Sequence, residues 1–268
     1  MKEIFDFKRF GKYFSYDLNR AVTRYGLTAL IIGLMPILFL LFGFVFSFIF
    51  GKEFAQSSSL YQFWPVAAFL ILVMSFGPRV WGGVTDRKQG TEWIALPASA
   101  FEKTLSLLLI TCVVLPACML ALLCLGNWLV SLSVPGIDPF LSFDKLLHIN
   151  HLDIFADGDG SFFNVGLILW LNWCENILIF TLGAFCFKRN KVGKTILCLI
   201  GLGILLSTAM MLIFHTTNFD NESFTHFFGD FDAARAQTWI NVTLNAIYGV
   251  VFVLLIGGIY ARIKTIKA

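Results

Sequence analysis

Six apolar runs, each about 20 residues or longer, recur from one end of the chain to the other, and no other feature limits the fold as tightly. A helix rises about 1.5 Å per residue, so a run of about 20 crosses the roughly 30 Å of a bilayer's hydrocarbon core. The runs lie at Leu27 to Phe50, Phe63 to Val84, Leu105 to Leu132, Phe162 to Phe187, Thr195 to Phe214 and Thr238 to Tyr260. Composition agrees: 57% of the 268 residues are hydrophobic and only 14% charged. A soluble domain carries about a quarter charged residues, so these polar side chains are too few to clothe a water-facing surface. The expected fold is all-α, a polytopic membrane protein with six transmembrane helices in a domain at 27–268, preceded by an interfacial amphipathic helix at 1–26. Pro36, Pro65, Pro78 and Pro116 fall inside the first three runs, where neighbouring helices would have to satisfy the freed carbonyls.

The basic residues set the orientation. Counting alternate sides from the N-terminus, seventeen Lys and Arg fall on one side and only Lys52, Lys145 and Arg235 on the other. Under the positive-inside rule both termini are cytoplasmic. Trp64, Trp128, Trp170 and Trp239 would then mark the outer interface and Trp81 the inner one. The two longer outer connections, Ser133 to Ser161 and His215 to Gln237, are acidic, which is compatible with this arrangement without setting it. No cleavable signal peptide is expected, because mostly polar or amphipathic residues precede the first run. The six Cys lie within apolar runs without a CxxC pair, which reads as buried thiols rather than a disulfide framework. A net charge of +3 is too small to argue for nucleic acid.

Motifs for chemistry are weak. Gly193-Lys194-Thr195 resembles the end of a phosphate-binding loop, yet Lys188 stands where that loop needs glycine and the run leads into a span rather than following a strand. His148, His151, Asp153, Asp157 and Asp159 sit close together, but Phe162 and Ile168 break the calcium-loop pattern. No nucleophile and base share a frame, so the chain is not expected to be an enzyme, and no metal or cofactor is expected in it.

Three features remain. Glu175 is the only acidic residue deep in a run, flanked by Asn172 and Asn176. An ionisable group in hydrocarbon costs a few kcal/mol on insertion scales, so it should face other helices or a water-filled path, either as interhelical glue or as a proton or substrate site. Near the N-terminus, Ile4, Phe7, Phe14, Leu18, Ala21 and Tyr25 form one helical track with Arg9, Lys12 and Arg20 opposite, the pattern of a surface helix on anionic headgroups. Between the second and third runs, residues 85–103 form the longest cytoplasmic connection. Ser99 and Glu102 have capping-box spacing, so a helix should begin at Ala100, and Pro97 should close a short helix around Glu92 to Leu96. Trp93, Ile94 and Leu96 on that short helix would be exposed and need a cover of lipid or protein.

With these residues in place the chain resembles the six-span bacterial membrane subunits of type-2 ABC exporters. The likeness lies in FDFKRFGKYFSYDLNR at the N-terminus, TEWIALPASAFEK after the second run, the six spans and the longer outer segment before the sixth. It departs in the long outer connection between the third and fourth runs. The resemblance implies a permease subunit in the bacterial cytoplasmic (inner) membrane that pairs with a second permease, as homodimer or heterodimer. Two cytoplasmic ABC ATPase subunits would bind ATP and Mg and drive export. Coupling is then expected through the N-terminal helix and through Glu92, Trp93, Ile94, Leu96, Ser99, Glu102 and Lys103. The alternatives are a secondary transporter working through Glu175 and a membrane scaffold that only recruits a cytoplasmic partner.

Overall fold

The computed structural model describes residues 5–50, 58–85, 90, 93, 95–133, 165–216 and 233–267. Apart from short links these are helical, with no strand among the described residues. Helix α1 spans Phe7–Phe50 and α2 spans Ser58–Val80, followed by a 3-10 turn at Gly82–Thr85. Helix α3 has three parts: an α-helical start at Ala100–Leu109, a π-turn at Ile110–Val114 and an α-helical remainder at Leu115–Ser133. Helices α4 (Val165–Cys186), α5 (Lys191–Thr216) and α6 (Ala233–Lys267) complete the chain.

Among the described residues, four helical stretches are long and apolar enough to cross a membrane: Ala100–Gly126, Ile168–Cys186, Lys191–Leu212 and Val242–Ile266. They coincide with the third to sixth apolar runs, and the chain is a multi-pass membrane protein by length and composition. The second run lies largely within α2. The first lies within α1, which continues unbroken through the boundary expected at residue 26.

Local chemistry explains several boundaries. At the head of α3 the Ser99 Oγ accepts from the Glu102 amide at 3.1 Å, and the Glu102 carboxylate accepts from the Ser99 amide at 2.8 Å. This reciprocal pair fixes the helix start at Ala100, as its spacing predicts. Pro116 has no N–H for the carbonyl four residues back, that of Cys112, and the turn before it widens into the π form. The Cys112 carbonyl instead accepts the indole N–H of Trp170 from α4 at 3.0 Å. Trp170, expected only as an interface marker, is thus also a bond between helices. The turn from α4 to α5 is tight because Asn190 takes a left-handed conformation at φ 51, which asparagine tolerates better than most residues.

The helices close into a ring in the order α1, α2, α4, α6, α3 and back to α1, with α5 outside against α4 and α2. Leu72, Phe76, Leu107, Ile177, Leu178 and Ile259 fill its centre. Helices α2 and α4 meet closely because Gly77 has no side chain: a Cβ there would stand 2.9 Å from the Thr181 backbone nitrogen. Helix α5 buries Thr195 in its first turn, then presents Leu197, Ile204, Leu205 and Met211 outward, an apolar face suited to lipid.

Candidate functional site

Arg9, Tyr13 and Asp17 are spaced four residues apart and so share one face of α1. Each meets the stretch that leads into α3. Glu102 has no exposed surface, and its carboxylate accepts from Arg9 Nη2 at 2.6 Å, from Arg9 Nε at 3.0 Å and from the Asp6 amide at 3.1 Å. With the Ser99 amide, its oxygens are fully occupied by donors. One turn along, the Trp93 indole donates to the Tyr13 hydroxyl at 3.1 Å. Lys103, also buried, donates to the Trp93 carbonyl at 2.7 Å and stands 4.1 Å over the Trp93 ring. The same ring lies 6.4 Å from that of Phe185 at the end of α4, so three helices meet at Trp93.

Deeper still, the Ser106 hydroxyl donates to Asp17 Oδ2 at 3.0 Å, while Asp17 Oδ1 has no hydrogen-bond partner. Burial pushes the Asp17 carboxyl above the usual range, against the opposing influence of the Ser106 bond, the Arg20 charge and the Trp81 indole. Burial and the nearby Asp17 likewise raise the Tyr13 hydroxyl. Arg20 is lowered by burial and by Arg24.

This arrangement changes three sequence expectations. Trp93 was expected to be exposed, yet only 3% of it is, because Tyr13, Lys103 and Phe185 cover it from within the chain. Ser99, Glu102 and Lys103 are buried as well, and Leu96 is half-buried, so these residues form a joint rather than an outward contact surface. Arg9 binds Glu102 instead of lying free on the polar side of a surface helix. Glu92 and Ile94 lie outside the described residues, as does Ile4. Of the apolar track, Phe14, Leu18, Ala21 and Tyr25 do pack inward, whereas Phe7 is exposed. Tyr13, Asp17 and Ser106 were missed by sequence reasoning; the four-residue spacing of Arg9, Tyr13 and Asp17 was the available signal.

The polar set inside the bundle is also brought together. Asn176 donates to the Asn172 backbone and side-chain oxygens at 2.7 Å each, and Asn172 donates to the Tyr248 hydroxyl of α6 at 3.5 Å. Glu175 is 8% exposed and its Oε1 has no hydrogen-bond partner. Tyr248 is the member that the sequence did not single out.

The remaining motifs carry less. Gly193, Lys194 and Thr195 lie in the first turns of α5, with the Thr195 hydroxyl spent on the Lys191 carbonyl at 2.8 Å. His148, His151, Asp153, Asp157 and Asp159 lie outside the described residues. Among the described residues, no three His, Cys, Asp or Glu side chains group as a metal site. Comparisons with protein-family models, curated proteins and solved structures find no match for the chain.

Proposed function

We propose that the chain is the membrane permease subunit of an ATP-driven exporter of the type-2 ABC kind. In this reading it has six spans with both termini in the cytoplasm of a bacterium, and the amphipathic start of α1 lies at the inner face. A second permease and cytoplasmic ATPase subunits complete the complex, and ATP and Mg belong to those ATPase subunits. The chain's own part is mechanical. The observation that carries the reading is the joint at Trp93, where buried hydrogen bonds tie the start of α1 to the segment before α3 and the Trp93 ring packs against Phe185 at the end of α4. A push on the segment at residues 91–96 would reach α1 through Tyr13 and Arg9, and α4 through Phe185. Buried, fully bonded polar groups transmit displacement well because breaking them is costly.

The test is purification of the tagged chain from its native membrane with any subunit bearing GxxxxGK[ST], followed by reconstitution in liposomes. Wild type is expected to stimulate ATP hydrolysis in that subunit. Trp93→Phe, which keeps the bulk and removes the N–H to Tyr13, should still bind the ATPase but lose most of the stimulation. A chain that purifies without any such ATPase, and shows no ATP-dependent transport in liposomes, defeats the exporter reading in favour of a scaffold or a secondary carrier.

A further inference from the structure

Glu175 is a charge-bearing group with no counter-charge among the described residues. The apolar stretches 104–137, 160–187, 195–219 and 236–261 hold no Lys or Arg, and Glu175 is the single acidic residue among them. It sits on the stripe of α4 that meets α6: Asn172, one turn before it, bonds to Tyr248, and Leu182, two turns after it, packs under Gly258. The titratable groups facing this part of α4 are Cys174 beside it, Cys112 from α3 and Tyr248 from α6, none of which can carry a positive charge. Helices α2 and α5 bring no charged residue to this depth.

A buried carboxylate must be paired, hydrogen-bonded or neutralised. Glu175 Oε1 is buried without a bond, and of the two asparagines beside it Asn176 donates to Asn172 and Asn172 donates to Tyr248. None of the described residues supplies the compensating positive charge. A metal ion is a poor fit, because a hard cation needs several oxygen ligands, whereas the apolar and aromatic walls here include Trp170 against Phe252 across the same two helices. A proton fits when the site is otherwise empty, and a lipophilic organic cation fits when it is filled, since aromatic rings and one carboxylate suit an ammonium-like charge on an apolar body.

We propose that Glu175, with Asn172 and Tyr248 along the α4–α6 seam, forms an intramembrane acceptor site for lipophilic organic cations, which displace a proton from the carboxyl on binding. The site adds a ligand class to the exporter reading and rests on that reading only for the direction of movement.

The test uses the full-length protein in nanodiscs without any ATPase, so its failure and that of the exporter reading are separable. Dicyclohexylcarbodiimide adds to protonated carboxyl groups in apolar surroundings, and the modified peptide is read by mass spectrometry. Glu175 should be labelled in wild type, with the adduct absent in Glu175→Gln. Tetraphenylphosphonium at about ten times its dissociation constant should slow the labelling about tenfold, while sodium ions at the same concentration should not. Asn172→Leu provides a second variant that keeps the carboxyl; it should be labelled yet less protected. Failure to label the folded wild type, labelling that tetraphenylphosphonium leaves unchanged, or equal protection by sodium would each overturn the site as proposed.

Discussion

Glu102 and Asp17 are two buried carboxylates in the same joint, and their surroundings treat them oppositely. Glu102 receives donors on both oxygens and holds its charge as part of a cap, so Ser99→Ala, which removes the reciprocal bond, should cost about 1 kcal/mol in thermal unfolding. A cost near zero would mean that Arg9 and the Asp6 amide hold the helix start without the cap. For Asp17 desolvation outweighs the Ser106 bond, the Arg20 charge and the Trp81 indole, so the folded chain holds its proton more tightly than the unfolded chain does. The unfolded value is about 3.9, and stability should therefore decline as pH rises from there through the higher folded value. Asp17→Asn should flatten that decline above about pH 4, whatever its effect on absolute stability. Melting curves of both proteins across this window check the sign, and parallel curves would show Asp17 to be uncoupled from folding. The Ser99–Glu102 cap could be read from sequence because it is a contact between residues three apart. The Arg9–Glu102 and Asp17–Ser106 bonds span 93 and 89 residues, and no local pattern encodes such pairings.

At the scale of elements, α3 depends on a side chain from another helix to finish its own backbone. Pro116 leaves the Cys112 carbonyl without its usual donor, and the Trp170 indole supplies one. Trp170→Phe keeps the ring and removes the N–H, so it should cost about 1 to 3 kcal/mol as the price of an unsatisfied buried acceptor. Pro116→Ala restores a backbone donor, and in that background the same Trp170→Phe change should cost measurably less. Equal costs in the two backgrounds, from a double-mutant cycle of thermal stability, would show that the indole and the proline act independently. The apolar runs made the spans from α3 to α6 legible because run length is set by membrane thickness. The π-turn was not legible, since it arises where a proline meets a neighbour whose position only the assembled bundle defines. Trp93 was misread for a related reason: an aromatic residue in a connection looks exposed until the chain that covers it is in place.

At the scale of the whole molecule, the basic residues do more than bias a count. Arg24 donates to the Val80 carbonyl at the end of α2, Lys191 to the Gly82 carbonyl, and Arg262 to the Phe185 carbonyl at the end of α4. Arg9 holds the head of α3 through Glu102, and the Trp93 ring against Phe185 places that joint with the rest. One end of the bundle is thus fastened by cations sitting on helix-terminal carbonyls, where the helix dipole favours positive charge. The positive-inside rule predicts a cytoplasmic position for such an end. The expected outcome is that single cysteines placed in a cysteine-free background react with an impermeant maleimide from outside at Ser57 and Ser161, and at Gln89 only after permeabilisation. The two classes of site flank α2 and test its orientation directly, while Ser161 tests whether α3 returns the chain to the outer face. Outside labelling at Gln89 with protection at Ser57 and Ser161 would invert the molecule. It would also remove the joint at Trp93 from reach of any cytoplasmic ATPase, and the exporter reading would fall with it.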